Sequence, residues 1–144
     1  MIAMTVLAAV NGKETPDRVL SVANDIAMNH DEELRVLHVI SEEMYEDRSE
    51  STDDYFRDDA VHDAKQVVRR VARETLGGDE HITPIGRVGS PAEGILDAID
   101  SEDPSYIVLG SRKRTPVGKA LLGSTTQSVL LHTSVPVIAV PDES

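Results

Sequence analysis

Five short apolar runs punctuate this chain, and the stretches between them limit the fold more than any other feature. The runs are "IAMTVLAAV" (2–10), "ELRVLHVI" (33–40), "EHITPIGRV" (80–88), "SYIVLG" (105–110) and "VPVIAV" (135–140). The first is apolar at nearly every position and rich in β-branched residues, as a strand covered on both faces must be. The intervening stretches have helical spacing, so each strand leads into a helix before the next begins. Such connections make neighbouring strands parallel and the crossovers right-handed. The expectation is one α/β domain over residues 1–144, a parallel sheet with helices on both faces. The alternation alone leaves the strand order open. Pro84 cannot donate to a ladder, which predicts that the third strand lies at a sheet edge.

The helices are read from their apolar stripes and their ends. Thr15 with Pro16 behind it is a start signal, and Val19, Leu20, Val22, Ala23, Ile26 and Ala27 form one apolar face. "SEEMYEDRSESTDD" (41–54) reads as an acidic, exposed connection. A longer helix is predicted to about Leu76, with Phe56, Ala60, Ala64, Val67, Val68, Val71 and Ala72 spaced for burial; Gly77 and Gly78 end it. "SPAE" (90–93) has the form of a capping box, with Ser90 as cap, Pro91 first in the helix and Glu93 reaching back. Ile95, Leu96, Ala98 and Ile99 follow. "STTQ" (124–127) offers a second box ahead of Val129, Leu130 and Leu131.

Charge is spread unevenly. The formal net charge is −12, yet Pro104 to Pro141 holds four bases (Arg112, Lys113, Arg114 and Lys119) and no acid, while the other 106 residues hold ten bases and 26 acids. An acid-free segment with a basic loop is where a polyanionic ligand would be tolerated, although bases in a solvated loop leave the same trace. Lysine is scarce beside arginine, four against ten. Dense acid with little lysine is the surface of a salt-adapted, halophilic protein, and ordinary acidic cytoplasmic proteins share the trend, since charge bears on solubility and not on fold. The net charge disfavours nucleic acid as a partner, and one Phe, three Tyr and no Trp leave few platforms for base stacking. The absence of cysteine excludes disulfides and thiolate metal sites. No apolar run has the length to span a bilayer, and the N-terminal run lacks the basic start and cleavage site of a signal peptide. A cytoplasmic protein without a membrane partner is expected.

Ligands of open α/β sheets bind beyond the carboxyl ends of the strands, where the winding reverses. Two strand ends are punctuated for this: "VNG" (10–12) after the first and "GSRKR" (110–114) after the fourth, each with a glycine that allows close backbone approach. The next helix begins at Gly123, Ser124, Thr125 and Thr126, whose amides lie at a positive dipole end and suit an anion. Other chemistries fit poorly. "KRTPVGKA" has the outline of a P-loop, but Lys113 replaces the first glycine and Ala120 stands where a Mg²⁺-binding hydroxyl belongs. There is no GxGxxG after the first strand and no GxSxG elbow. His30, His38, His62, His81 and His132 lack metal-ligand spacing, and His38 and His132 read as structural. The acid-free loop supplies no general base beside a phosphate chain, and His132 lies a helix length away.

On these residues the chain resembles the universal stress protein family over nearly all of its length. The family's nucleotide signature is Gly, two residues, Gly, nine residues, then Gly followed by Ser or Thr. Gly110, Ser111, Arg112, Lys113, nine residues, Gly123 and Ser124 reproduce that spacing. "RVGSPAEGILDAI" is similar to the family's central strand–helix unit and "VLLHTSVPVIAV" to its closing helix and strand. The resemblance implies a Rossmann-like, adenine nucleotide alpha-hydrolase-like sheet of five strands in the order 3-2-1-4-5, with the switch point between strands one and four. It implies a site for ATP or another adenine nucleotide, with Mg²⁺ as an optional companion. Ala9, Val10 and Asn11 would meet the adenine and ribose region, and Val39 would line the base pocket. Leu109, Gly110, Ser111, Arg112 and Lys113, with Gly123, Ser124, Thr125 and Thr126, would hold ribose and phosphates. It also implies a homodimer paired through the last strand, Val135 to Val140. Two positions depart from the pattern: Asn11 replaces the usual acid, losing a charged acceptor, and Lys113 replaces the second signature glycine. Stress response through a bound nucleotide is the expected role. A dimer acting through protein partners without nucleotide, and a slow ATP hydrolase, are the alternatives, because function resides in the site and not in the fold.

Overall fold

The computed structural model describes residues 4–111 and 122–141. Arg112, Lys113, Arg114 and Lys119 therefore lie outside the described residues. The strands are β1 (Thr5–Ala9), β2 (Glu33–Ile40), β3 (Ile82–Val88), β4 (Tyr106–Gly110) and β5 (Val137–Val140); the helices are α1 (Arg18–Asn29), α2 (Glu42–Ser51), α3 (Arg57–Leu76), α4 (Pro91–Glu102) and α5 (Ser124–His132). The strands form one parallel sheet in the order β3-β2-β1-β4-β5. The strand holding Pro84 is at an edge, as its missing donor requires. Winding reverses between β1 and β4.

Side chains alternate across the sheet, so each strand feeds two cores. Val6, Ala8, Val10 and Val36 pack with Leu20 and Ala23 of α1 and Val68, Val71 and Ala72 of α3. Leu7, Leu37, Ile85, Ile107 and Leu109 pack on the opposite face with Ile95 and Ala98 of α4 and Val129 of α5. Two glycines permit unusually close helix–sheet contact. A Cβ on Gly86 of β3 would strike the Val61 carbonyl oxygen of α3 and lie 3.0 Å from the Ala64 Cβ. One on Gly94 of α4 would lie 2.8 Å from Val39 Cγ2.

Several local expectations are corrected. Asp17, not Thr15, caps α1: its carboxylate accepts the Leu20 amide at 3.0 Å, and the helix begins at Arg18. Residues 42–51 of the acidic connection are helical, capped by the Ser41 hydroxyl, and none of them is buried. Phe56 is 64 % exposed because it precedes α3 rather than belonging to its apolar stripe; its amide donates to Asp59 Oδ2 at 2.8 Å. Ser90 is the N-cap of α4 with Pro91 behind it, but no side-chain cap bond forms there. Ser124 is already inside α5, whose N-cap is Gly123, so the second capping box does not form. Gly77 ends α3 in the left-handed region, φ 81°. Among the described residues, no helix is long and apolar enough to cross a membrane.

Candidate functional site

A cleft of about 700 Å³ lies across the carboxyl ends of β1, β2 and β4. This is the switch point of the sheet, where the loops after β1 and β4 diverge to opposite faces and leave a crevice. Because the cleft straddles the carboxyl ends of these central strands, it has one wall on each face. One is built by Leu37, Val39, Pro91, Ile95, Leu109, Thr125 and Thr126, and the other by His38, Met44, Arg48, Val67 and Arg70.

The turn after β1 is held from below by α3. Gly12 has φ +76°, a conformation that side chains rarely adopt, and a Cβ there would lie 2.7 Å from Val67 Cγ1. Arg70 Nη2 donates to the Gly12 carbonyl at 2.8 Å. Asn11 Oδ1 accepts the Lys13 amide at 2.8 Å, closing an Asx turn that leaves the side-chain NH₂ as a donor. His38 Nδ1 lies 2.9 Å from the Val10 carbonyl oxygen. That oxygen can only accept, so Nδ1 carries the proton. Burial pushes the His38 pKa down, and the Arg70 and Arg48 charges push it further against the opposing Val10 bond. The ring is neutral at pH 7, with Nε2 an acceptor.

On the β4 side, the Ser111 amide donates to the Val140 carbonyl at 2.9 Å, and the Thr126 hydroxyl donates to the Gly110 carbonyl at 2.8 Å. These bonds tie the end of β4 to β5 and to the first turn of α5. Gly123 has extended backbone and no side chain caps the helix behind it. The amides of Ser124, Thr125 and Thr126 are those that a helix cannot satisfy internally, and they stand at the positive end of its dipole. Thr125 and Thr126 line the cleft, so this helix end meets it directly.

Ala9, Val10, Asn11, Val39, Leu109, Gly110, Ser111, Thr125 and Thr126 are thus brought together around one cleft. Gly123 and Ser124 precede the last two and do not line it. Arg112 and Lys113 fall outside the described residues. The cationic wall of Lys13, Arg48 and Arg70, with His38, escaped the sequence reading. His38 read as structural, and the arginines belong to helices whose approach to the strand ends no local pattern encodes. Among the described residues, Asp17 is the one acid in the lining, and it is engaged as the cap of α1. Among the described residues, no group of three or more His, Asp or Glu is placed to hold a metal ion.

Comparison with known proteins agrees with this architecture. A universal stress protein of Thermus aquaticus is 30 % identical over 138 residues, covering 94 % of this chain and 97 % of its own. The solved universal stress protein of Archaeoglobus fulgidus superposes with a TM-score of 0.71 at 26 % identity, covering 96 % of this chain and 99 % of that one. A universal stress protein solved in complex with cAMP has a TM-score of 0.67 at 20 % identity, covering 95 % and 96 %. More distant structures of this fold carry dAMP in an Archaeoglobus fulgidus protein (TM-score 0.55, 21 % identity, covering 97 % and 99 %) and AMP in an Arabidopsis thaliana protein (0.58, 16 %, covering 98 % and 93 %). The sequence profile of the universal stress protein family matches residues 3–141. With a profile spanning almost the whole chain, a relative 30 % identical over nearly all of it and a sheet in the order 3-2-1-4-5, this chain belongs to the universal stress protein family.

Proposed function

We propose that the cleft binds ATP or a related adenine nucleotide, and that the protein acts in the stress response through that bound state. The observation that carries this reading is the uncapped start of α5 opening on the switch-point cleft, in a fold whose relatives have been solved with cAMP, dAMP and AMP. In this reading the base lies against Val39, the ribose meets Ala9 to Asn11 and Gly110, and the phosphates meet the turn at Gly123 to Thr126. Ser111, Arg112 and Lys113 add donors and charge, with Mg²⁺ as an optional counter-ion. Leu109 supports the floor. The Asn11 NH₂ serves as a donor to the ligand, where a carboxylate would only accept.

The role is binding and not turnover. Asp17 is committed to its cap, and His132, at the far end of α5, has its ring Nδ1 2.7 Å from the Ser128 carbonyl. The protein is further read as a homodimer paired along the outer edge of β5, where Val137 and Ile138 are half-buried and Ala139 is exposed. Calorimetry with ATP, ADP and AMP tests the ligand: saturable binding supports it, and Gly123→Val should weaken all three, by removing the phosphate contribution, while the circular dichroism spectrum stays unchanged. No heat with any of the three, or an unaltered response in the variant, overturns the assignment. A monomeric mass in sedimentation overturns the dimer.

A further inference from the structure

Helix α2 supplies no core residue. None of its residues is buried, and residues 42–54 hold seven acids against one base, Arg48. The helix is nevertheless fixed in place. Arg48 Nη1 pairs with Asp63 Oδ2 of α3 at 3.1 Å, and the Tyr55 hydroxyl donates to the same carboxylate oxygen at 2.6 Å. Arg57 pairs with Glu42, and its guanidinium carbon lies 5.1 Å from the centre of the Tyr45 ring. Tyr45 and Tyr55 stack at 6.1 Å. All these contacts are polar or aromatic, and they lie at the surface.

What this docking achieves is the placement of one helix face. Ser41, Met44 and Arg48 sit at spacings of three and four residues, and all three line the cleft. They continue directly from Val39 and Ile40. Met44 is 45 % exposed, so an apolar, polarisable side chain borders the cleft instead of joining a core. A thioether and a guanidinium both pair well with the face of an aromatic ring. We propose that α2 is a charge-docked flap that covers the nucleobase, with Met44 and Arg48 as its ligand contacts and Asp63 as the anchor that sets its position. The inference rests on the nucleotide reading above and adds to it a base-side wall that the signature residues do not include.

Affinities for adenosine and AMP, with hydrogen exchange of the α2 amides, test it. AMP should slow exchange across residues 42–51. Arg48→Ala should weaken adenosine and AMP by the same factor, about five-fold, because the contact is to the base. Asp63→Asn, which removes the anchor's charge but leaves Arg48 in place, should speed exchange of the α2 amides in the free protein and weaken both ligands by a common factor no larger than that of Arg48→Ala. Gly123→Val should instead erode the advantage of AMP over adenosine. If Arg48→Ala binds both ligands as the wild type does, or Asp63→Asn leaves both the α2 exchange and the two affinities unchanged, or the α2 amides exchange alike with and without AMP, the flap is wrong while the nucleotide site stands. If the wild-type protein binds neither ligand, both readings fall.

Discussion

The hydroxyl of Thr126 donates to the carbonyl oxygen of Gly110 across 2.8 Å, joining the first turn of the last helix to the end of the fourth strand. Thr126 is only 3 % exposed, so little solvent can replace the bond. Thr126→Val keeps the shape and deletes the donor. It should cost about 1 kcal/mol, read as a melting temperature lowered by roughly 3 °C. Because Gly110 and Thr126 both line the cleft, nucleotide affinity should fall as well. Unchanged stability would show that the Gly110 carbonyl finds another partner.

Gly12→Ala should be more damaging than its size suggests. The new methyl group meets Val67 at 2.7 Å, and the backbone is held at φ +76°. Strain and overpacking together should cost about 2 kcal/mol in urea denaturation. The Asx turn at Asn11 would shift with it, so ligand binding should weaken beyond what the stability loss explains.

The cap of α1 predicts a pH effect of definite sign. Burial raises the Asp17 pKa, opposed by the amides of Leu20 and Val19, with Glu14 adding a smaller push upward. A carboxyl whose folded pKa is raised favours the folded state while protonated, and that contribution is lost as pH rises through the folded value. At pH 7 the charged form therefore opposes folding. Asn caps as well as Asp and carries no charge. Asp17→Asn should be more stable than the wild type at pH 7, and the difference should shrink as pH falls through the folded pKa toward the ordinary 3.8. Urea midpoints at pH 7 and pH 4 check this; a variant less stable at pH 7 would show that the carboxylate's bonds outweigh its desolvation.

The acid-rich surface should make folding depend on salt. With 26 acids against 14 bases, self-repulsion opposes the compact state in dilute buffer, and screening relieves it. The melting temperature should climb steadily between low and molar KCl. A flat or falling curve would place this protein among ordinary acidic proteins instead of halophilic ones.

The strands were legible because β1 and β4 are apolar at consecutive positions, which few other structures require. Their order was not, since the same alternation fits several windings; it was implied only by the family resemblance that the signature at Gly110 and Gly123 carries. Asp17 and Thr15 are both good cap residues, and only the packing of α1 decides between them. Helix α2 was hidden because its sequence has no apolar stripe: its docking is electrostatic, and its cleft-facing residues, Met44 and Arg48, look like ordinary surface. The strand-end half of the site could be read locally. The opposite wall could not, because Arg70 reaches Gly12 across 58 positions of sequence.

Gly86 shows how far the shape of the cleft is set from outside it. With no side chain between them, α3 rests directly on the backbone of β3, and that seating fixes the height at which Val67 and Arg70 meet the turn at Gly12. A methyl group at Gly86 would act as a wedge, prying up the whole helix and slackening a turn that Gly86 never touches. A lesion there could mimic a binding-site defect, and substitutions that impair ligand uptake need not map to the cleft rim.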